Sequence, residues 1–303
     1  MTKKLQTLCS VLLLALTLTT AARSQSIATP ASKEIEIYGQ KIYYLEAGSG
    51  PNVILLHGLG GDATNWMPTI PALASKYHVY VPDQIGFGKS DKPIMNYRVA
   101  TLVDFLNQFC KKLGIEKTTV VGNSLGGWAA AAFAIAYPEK IDKLVLVSAA
   151  GYTPKRLGAP ELPKELYSIL NPATTKDMKR LFDAVFYNKA MLTDAFIEQA
   201  FTGKLKRGDG YTINLFIDSM MRGEDYLDDQ VKAVKAPTLV IWGREDGLTP
   251  LAMGEAFAHD IAGAQKVIID KCGHVPQIEK STEFNVALLK FLAGGSATTS
   301  LMK

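Results

Sequence analysis

VVGNSLGGWAA, residues 120–130, is the stretch that decides the fold of this chain. It places one small polar residue, Ser124, between glycines, after an apolar β-branched run and before an alanine-rich run. Residues 122–126 read G-N-S-L-G, which is the pattern G-x-S-x-G at the junction of a predicted strand and a predicted helix. A serine on so sharp a turn has strained backbone angles, and side chains on either flank would collide, so both flanking residues must be glycine. The stretch therefore predicts a nucleophilic serine.

Strand-like and helix-like runs alternate through much of the rest of the chain. The predicted strands are KEIEIY (33–38), KIYYLEA (41–47), NVILL (52–56), HVYVP (78–82), TTVVG (118–122), DKLVLVS (142–148), TLVIW (238–242) and QKVIID (265–270). The predicted helices cover about residues 65–75, 98–113, 125–137, 250–262 and 282–292. This alternation requires crossover connections and predicts an α/β fold with a mostly parallel eight-stranded sheet flanked by helices. The first two strands, separated by Gly39-Gln40, predict an antiparallel hairpin.

The segment between Ser148 and Pro237 interrupts the alternation. It contains no convincing strand, but apolar residues recur there at helical spacing, as in Met178, Leu181, Phe182 and Val185. A helical insertion after the sixth strand explains this pattern, and we expect it to cover one edge of the sheet as a cap, or lid. The expected division is a body of residues 33–148 and 237–293, a cap of residues 149–236 and a flexible tail of residues 294–303.

Ser124 needs partners, because a lone serine is a poor nucleophile near neutral pH and requires a histidine base that is oriented by an acid. His274, in KCGHVPQIE after the last predicted strand, is the candidate base among the four histidines. Asp246 follows the strand TLVIW in GREDG and is the candidate acid, with Glu245 and Asp270 as possible substitutes. Loops of an open α/β sheet converge at its carboxyl edge, so we expect the three groups to meet there.

An acyl-transfer site also needs two donors for the oxyanion of its tetrahedral intermediate. The N–H of Leu125 is one candidate, because it opens a helix whose positive dipole end favours negative charge. Leu59, in LLHGLGGD (residues 55–62), follows a His-Gly turn and is the other. Acyl transfer through these groups needs no metal and no organic cofactor.

Five motifs in order, HGLGG, DQIGFGKSDKP, GNSLGG, WGRED and CGH, make the chain similar to the α/β-hydrolase superfamily from Lys33 to Leu292. Ser124 places it with the serine-nucleophile branch and argues against branches whose nucleophile is aspartate. The resemblance implies that DQIGFGKSD is the loop after the fourth strand and that Asp83 braces the oxyanion loop.

Two subgroups of that superfamily resemble the chain most: lipase and monoacylglycerol-lipase-like carboxylesterases, and hydrolases that cleave C–C bonds in ring-fission dienoates. Asn123 and the run LTDAFIEQAF, residues 192–201, resemble the second subgroup. That subgroup typically holds a substrate carboxylate with an arginine from this part of the cap and often has tryptophan after the histidine. Here the run has no arginine and the residue after His274 is Val275, although Lys204, Lys206 or Arg207 could fold inward and supply the missing charge. Asn123 and Val275 are the expected substrate-binding residues.

The expected function is therefore hydrolysis of carboxylic esters with short to medium acyl groups (EC 3.1.1-type), through a Ser-His-Asp triad and an acyl-enzyme. C–C cleavage of an anionic dienoate is the alternative. It ranks second because a substrate carboxylate without a partner beneath the cap loses charge-assisted hydrogen bonds worth about 1.5 to 3 kcal/mol. A non-catalytic ligand-binding homologue is a third hypothesis, against which the complete triad argues. The expected partner is a small-molecule ester.

The N-terminal residues have the layout of a secretory signal peptide. Two lysines precede an uncharged stretch, residues 5–22, and Ala22-Arg23-Ser24 has the small-x-small pattern that signal peptidases accept. We expect cleavage after Ser24 and export to the periplasm or the medium, with no stable membrane association afterwards; an uncleaved anchor is the alternative. The chain has 33 basic and 29 acidic residues, and cleavage removes three basic ones, so no nucleic-acid-binding footprint is left.

The two cysteines beyond this segment are Cys110 and Cys272. Export would place them in an oxidising compartment, where the two could form one disulfide; this disulfide is the alternative to free thiols. Cys110 lies on the apolar face of a predicted helix and Cys272 lies two residues before His274, so buried free thiols are the expected state.

Overall fold

Eight strands form one sheet in the computed structural model, which describes residues 29–158, 167 and 169–297. The strands are β1 (Ala31–Ile37), β2 (Gln40–Ala47), β3 (Asn52–Leu56), β4 (His78–Pro82), β5 (Thr118–Asn123), β6 (Ile141–Val147), β7 (Thr238–Gly243) and β8 (Gln265–Ile269). Their order is β1-β2-β4-β3-β5-β6-β7-β8. β2 pairs antiparallel with β1 and with β4, and the remaining pairs are parallel. The predicted α/β fold with a mostly parallel sheet is confirmed.

The predicted hairpin joins β1 and β2, with its turn one residue earlier than expected. Tyr38 and Gly39 have φ values of 54° and 71°. Two successive left-handed residues match the type I′ turn, whose twist suits antiparallel neighbours. All eight predicted strands occur, and their ends differ from the prediction by at most two residues.

Helices cover both faces of the sheet. The described helices are α1 (Ile70–Ala74), α2 (Val99–Lys112), α3 (Leu125–Ala136), α4 (Thr175–Val185), α5 (Asp194–Arg207), α6 (Gly210–Met221), α7 (Leu251–Asp260), α8 (Pro276–Glu279) and α9 (Ser281–Leu292). Side chains of α2, α3 and α7 fill the core on one face, and those of α1 and α9 fill it on the other. In β5, Val120 belongs to the first core and Val121 to the second. A strand buried on both faces reads as a continuous apolar run, which is why the sequence located it.

The chain between β6 and β7 contains α4, α5 and α6, and its described residues form no strand. Thr174 and Thr193 begin α4 and α5 by accepting backbone N–H bonds with their hydroxyls, which satisfies donors that a helix start leaves free. Apolar residues of both helices, with Val185 and Ile197 among them, form a third cluster apart from the two sheet cores. These helices lie where the cap is expected, and we call them the cap; its role as a lid and its bounds at residues 149 and 236 stay predictions.

Residues 294–297 begin the segment that is predicted to be a flexible tail. Gly294, with φ of 83°, turns the chain at the end of α9. The N–H of Ala297 then donates to the side-chain oxygen of Gln265 at 2.5 Å, and Ala297 joins the apolar core beside α9. The turn returns the chain to the sheet, where apolar surface is available. The rest of the predicted tail and the predicted signal peptide lie outside the described residues, within which no helix is long and apolar enough to cross a membrane.

Cys110 and Cys272 are both buried and free. They belong to the cores on opposite faces of the sheet, so they are not placed to form the alternative disulfide. Burial raises the pKa of the Cys110 thiol to about 12 and also raises the pKa of Cys272. Thiols kept protonated in this way are poor nucleophiles.

Candidate active site

Ser124 lies between β5 and α3, at the carboxyl edge of the sheet. Its φ of 55° and ψ of −120° are strained for a residue with a side chain. A Cβ on Gly122 would lie 2.2 Å from the carbonyl oxygen of Gly126, and a Cβ on Gly126 would lie 2.5 Å from the carbonyl oxygen of His57. Both glycines are therefore required by direct backbone contact, as the G-x-S-x-G pattern predicts.

The side chains of Asp246 and His274 meet at the same edge. Nδ1 of His274 lies 2.9 Å from Oδ2 and 3.1 Å from Oδ1 of Asp246, and both side chains are buried. The N–H groups of Leu248 and Thr249 donate to Oδ1 of Asp246 at 2.9 Å each. An ionised carboxylate only accepts hydrogen bonds, so Nδ1 of His274 carries the proton and Nε2 is the basic nitrogen.

The environment keeps Asp246 ionised. Burial alone would raise its pKa, because a charged carboxylate is poorly solvated inside a protein. The neighbouring His274 and the hydrogen bonds from His274 and Thr249 outweigh burial, and the pKa of Asp246 lies below its usual value of 3.8. An ionised acid fixes the imidazole tautomer and stabilises the imidazolium that forms when the base takes a proton.

The other acidic side chains that the sequence offered for this role have different partners. Glu245 accepts the N–H of Cys272 at 3.0 Å. Asp270 pairs with Arg244 at 2.5 Å and its side chain is 70% exposed. Asp246 is thus the acid that contacts the histidine. Among the described residues, no group of three or more histidine, cysteine or acidic side chains is arranged to hold a metal ion.

Asn123 ties the serine turn to the histidine loop. Its Nδ2 donates to the carbonyl oxygens of Val147 and His274, at 3.1 Å each. These bonds use both amide hydrogens inside the protein, so only Oδ1 is left for the predicted substrate contact, which stays a prediction. Within the described part of the chain, the Ser124 hydroxyl makes no hydrogen bond to His274. Such contacts are often long until substrate binds.

The loop from His57 to Asp62 lies against the serine. A Cβ on Gly58 would be 3.0 Å from Cβ of Ser124. Leu59 follows in this loop, and Leu125 is the first residue of α3. Neither N–H donates to an acceptor among the residues that the structure describes. Both are therefore available for an oxyanion beside Ser124, and that role stays a prediction.

A buried polar network supports this loop. Nδ1 of His57 lies 2.8 Å from the carbonyl oxygen of Gly58, and Nε2 accepts the N–H of Gln84 at 3.1 Å. The side-chain amide of Gln84 donates to the carbonyl oxygen of His57 at 2.8 Å. Asp83, whose pKa is raised by burial, accepts the N–H of Ala63 at 2.7 Å. Asp83 thus braces the loop, as the resemblance implies, and His57 is a structural histidine.

Thr249 is a site residue that the sequence reasoning missed. Its hydroxyl lies 2.7 Å from Oδ2 of Asp246, 3.2 Å from Nδ1 of His274 and 3.1 Å from the carbonyl oxygen of Ser148. It therefore links the acid, the base and the end of β6. A hydroxyl three residues after an aspartate, as in DGLTP, is a usable signal, because such side chains form local hydrogen bonds with each other.

The cap contacts two loops through apolar side chains: the loop that carries Asp246, called the acid loop, and the loop that carries His274, called the base loop. Leu248, after the acid, and Val275, after the base, pack against the third cluster. Phe196, Ala200 and Phe201 of α5 belong to the same cluster. We call these five residues the apolar wall. It contains no charged side chain at the part of the cap where the resemblance implies an arginine.

Comparison with known proteins agrees with this geometry. The family model described as "alpha/beta hydrolase fold" matches residues 51–281. The chain belongs to this family. It is 33% identical to the "2-hydroxy-6-oxononadienedioate/2-hydroxy-6-oxononatrienedioate hydrolase" of Cupriavidus pinatubonensis, over 83% of this chain and 90% of that protein. The predicted membership of the α/β-hydrolases is confirmed, and the protein is a hydrolase.

Two solved structures are among those similar to this chain. A meta-cleavage product hydrolase from Pseudomonas fluorescens has a TM-score of 0.79 and 32% identity, with 86% of this chain and 97% of that chain covered. A membrane phospholipase A, described as a bacterial virulence factor, has a TM-score of 0.76 and 28% identity, with 88% and 86% covered. The similar structures thus include a meta-cleavage product hydrolase and a phospholipase A.

Proposed function

We propose that this hydrolase cleaves a C–C bond of 2-hydroxy-6-oxo-dienoates, the ring-fission products of aromatic compounds. The observation that carries the proposal is the 33% identity, over 83% of the chain, to a hydrolase named for such a substrate. The contact between Asp246 and His274, beside the strained Ser124, supplies the chemistry. This ranking reverses the one expected from the sequence, in which ester hydrolysis came first.

The chemistry divides between the serine and the histidine. Ser124 attacks the C6 carbonyl carbon while Nε2 of His274 takes the hydroxyl proton, and the N–H groups of Leu59 and Leu125 stabilise the oxyanion. This cleavage acts on the keto tautomer of the substrate, in which the proton of the 2-hydroxyl group has moved to C5 and C5 is saturated. The bond between C5 and C6 then breaks, and its electron pair is delocalised through C4 and C3 to the C2 oxygen as a dienolate. His274 returns the proton to the leaving fragment, and water, activated by the same histidine, hydrolyses the acyl-serine ester.

The dienoate carboxylate needs a cation, and two on the last turns of α5 are candidates. Arg207 lies 3.6 Å from Asp62, which ends the loop that carries Leu59, and 3.3 Å from Asp209. Lys204 is buried one turn earlier, where burial lowers its pKa although Asp209 opposes this. A guanidinium beside the oxyanion loop weakens the main objection to a dienoate substrate, which was the lack of arginine in residues 192–201. We expect the substrate carboxylate to replace one of the acidic partners of Arg207, Asp62 or Asp209, when the substrate binds.

Ester hydrolysis is the second candidate, because the apolar wall favours it. The wall, which includes Val275 and Leu248, offers no charge to a substrate and suits the acyl chain of a neutral ester. The similarity to a membrane phospholipase A also favours ester hydrolysis. For a dienoate, the same wall favours an uncharged group on C6 over the second carboxylate of a nonadienedioate.

The experiment that separates the two candidates runs both substrate classes on one preparation. We expect a higher kcat/KM for 2-hydroxy-6-oxo-6-phenylhexa-2,4-dienoate than for p-nitrophenyl esters from acetate to octanoate. The dienoate is followed by loss of its chromophore and the ester by release of p-nitrophenolate. A dienoate value at least about tenfold below the best ester, a difference of about 1.4 kcal/mol, would return ester hydrolysis to first place.

Arg207→Gln tests the proposed cation. We expect KM for the dienoate to rise about tenfold, since a charge-assisted hydrogen bond is worth about 1.5 to 3 kcal/mol, while KM for a neutral ester stays within about twofold. Arg180→Gln is the control, because Arg180 is exposed on α4. Equal changes for both substrates would mean that Arg207 acts on the oxyanion loop through Asp62 and does not bind the carboxylate.

Export through a signal peptide is a separate proposal, based on residues 1–24. Mature protein from the native host should begin near Gln25 and be found outside the cytoplasm. N-terminal sequencing of fractionated cells tests this. An intact Met1 in the membrane fraction would favour the anchor, and an intact Met1 in the cytoplasm would exclude both.

A further inference from the structure

The last turn of α4 lies directly against the acid and base loops. The N–H of Gly247, next to the acid, donates to the carbonyl oxygen of Ala184 at 3.2 Å. The N–H of His274 donates to the carbonyl oxygen of Val185 at 2.7 Å. A Cβ on Gly273 would lie 2.2 Å from that same Val185 oxygen, so the base loop can approach the cap this closely only with glycine there. The cap therefore helps to hold the backbone of His274 in place.

Glu279 joins the same two segments from the other side. Its Oε2 accepts the N–H of Gly273 at 2.7 Å and the N–H of Tyr187 at 3.1 Å. Its Oε1 accepts the N–H of Asn188 at 2.5 Å. Gly273 precedes the base, whereas Tyr187 and Asn188 follow α4 in the cap. One carboxylate at the end of α8 therefore binds a cap segment and the base loop together.

A carboxylate is the side chain that this arrangement needs. Three backbone N–H groups converge on it, and an ionised carboxylate has two oxygens that only accept, whereas an amide would turn N–H donors toward one of those N–H groups. Hydrogen bonds from N–H groups to a charged acceptor are also stronger than those to a neutral one. Glutamine at position 279 would keep part of the arrangement, and alanine would keep none of it.

We infer that Glu279 is a positioning residue that couples cap docking to the placement of the base. It fixes Gly273, and through it His274, to the cap segment at Tyr187 and Asn188. The inference rests on the proposed role of His274 as the base of Ser124. Loss of the carboxylate should therefore slow reaction of Ser124 without weakening binding at the apolar wall, which Glu279 does not join.

The test measures the rate at which a fluorophosphonate labels Ser124 in the full-length protein. Wild type is compared with Glu279→Gln, Glu279→Ala and the control Glu283→Gln, since Glu283 is exposed in the first turn of α9. The maximal labelling rate should fall about tenfold in Glu279→Gln and further in Glu279→Ala, because a misplacement of about 1 Å can reduce a rate about 10²-fold. The probe concentration at half-maximal rate should stay within about twofold, and the control should match wild type.

Two further readouts separate positioning from general destabilisation. The labelled fraction at the end of the reaction reports how much protein is folded, so a lower rate at an unchanged fraction is expected. Amide hydrogen exchange should rise together in peptides around 187–188 and around 273–274. Unchanged rates in Glu279→Ala, or a loss explained wholly by a smaller labelled fraction, would overturn the inference. Failure of wild type to be labelled at Ser124 would instead overturn the proposed function.

Discussion

The carboxyl edge of the sheet and the cap above it are built by different forces. At the edge, hydrogen bonds hold the reacting groups: Asp246 accepts N–H and hydroxyl donors from its own loop, and Asn123 bonds two backbone carbonyls. In the cap, the end of α4 meets the edge through backbone hydrogen bonds, whereas side chains of α5 such as Phe196 and Phe201 pack in an apolar cluster. Hydrogen bonds fix direction, whereas apolar contact is non-directional. The edge is therefore suited to chemistry, and the cap to selecting substrates by shape.

The largest effects should come from the reacting groups at the edge. Ser124→Ala and His274→Ala should each lower kcat by roughly four to six orders of magnitude, because members of one catalytic unit fail together. Circular dichroism and melting temperature should stay near wild type. If either variant keeps a tenth of the wild-type activity on the better substrate, the reacting groups lie elsewhere and the contrast between edge and cap fails.

Asp246→Asn should have the next largest effect. An amide can present N–H groups to Nδ1 of His274 and stabilise the wrong tautomer, so kcat should fall about 10³- to 10⁴-fold with little change in KM. Steady-state kinetics measure this. Asp270→Asn is the matched control, because Asp270 is an exposed carboxylate on Arg244 and should leave kcat unchanged.

The same variant gives a pH signature of stability. The pKa of Asp246 is lowered in the folded protein, so its ionised form stabilises the fold at pH values above its usual 3.8. That contribution is lost as the pH falls through the lowered pKa. In urea unfolding, Asp246→Asn should be less stable than wild type at pH 6, and the gap should narrow below about pH 3.8. A gap that is constant with pH would show that packing, and not charge, holds the acid.

The body and the cap also differ in how far the sequence predicted them. Ser124, Asp246 and His274 were predicted because each lies in the turn or loop that follows a β-branched strand, and parallel strands bring such positions to one edge. Gly122 and Gly126 indicated the turn, because a side chain at either position would collide with the nearby backbone. Local patterns of this kind do not depend on knowing how distant segments pack.

The contacts that were missed depend on tertiary packing. The carboxylate of Glu279 meets Tyr187 and Asn188, which are about ninety positions away in the chain. Arg207 meets Asp62, which is about 145 positions away in the chain. No periodicity or turn motif encodes such pairs, and none encodes the contact of Ala297 with Gln265, which is also distant in the chain.

The smallest effect should come from the apolar wall of the cap. Phe201→Ala removes an aromatic ring of the apolar wall and should lower kcat/KM for a 6-phenyl dienoate, or for an octanoate ester, about four- to fifteenfold. That range corresponds to the loss of one or two buried CH₂ groups at about 0.8 kcal/mol each, since the ring is only partly buried. Leu205→Ala is the control, because Leu205 is 65% exposed on the same helix. For a 6-methyl dienoate or an acetate ester, which does not reach the wall, Phe201→Ala should stay within about twofold of wild type. An equal loss for large and small acyl groups would mean that the wall positions the base loop through Val275, and the separation between a chemical edge and a selecting cap would then not hold.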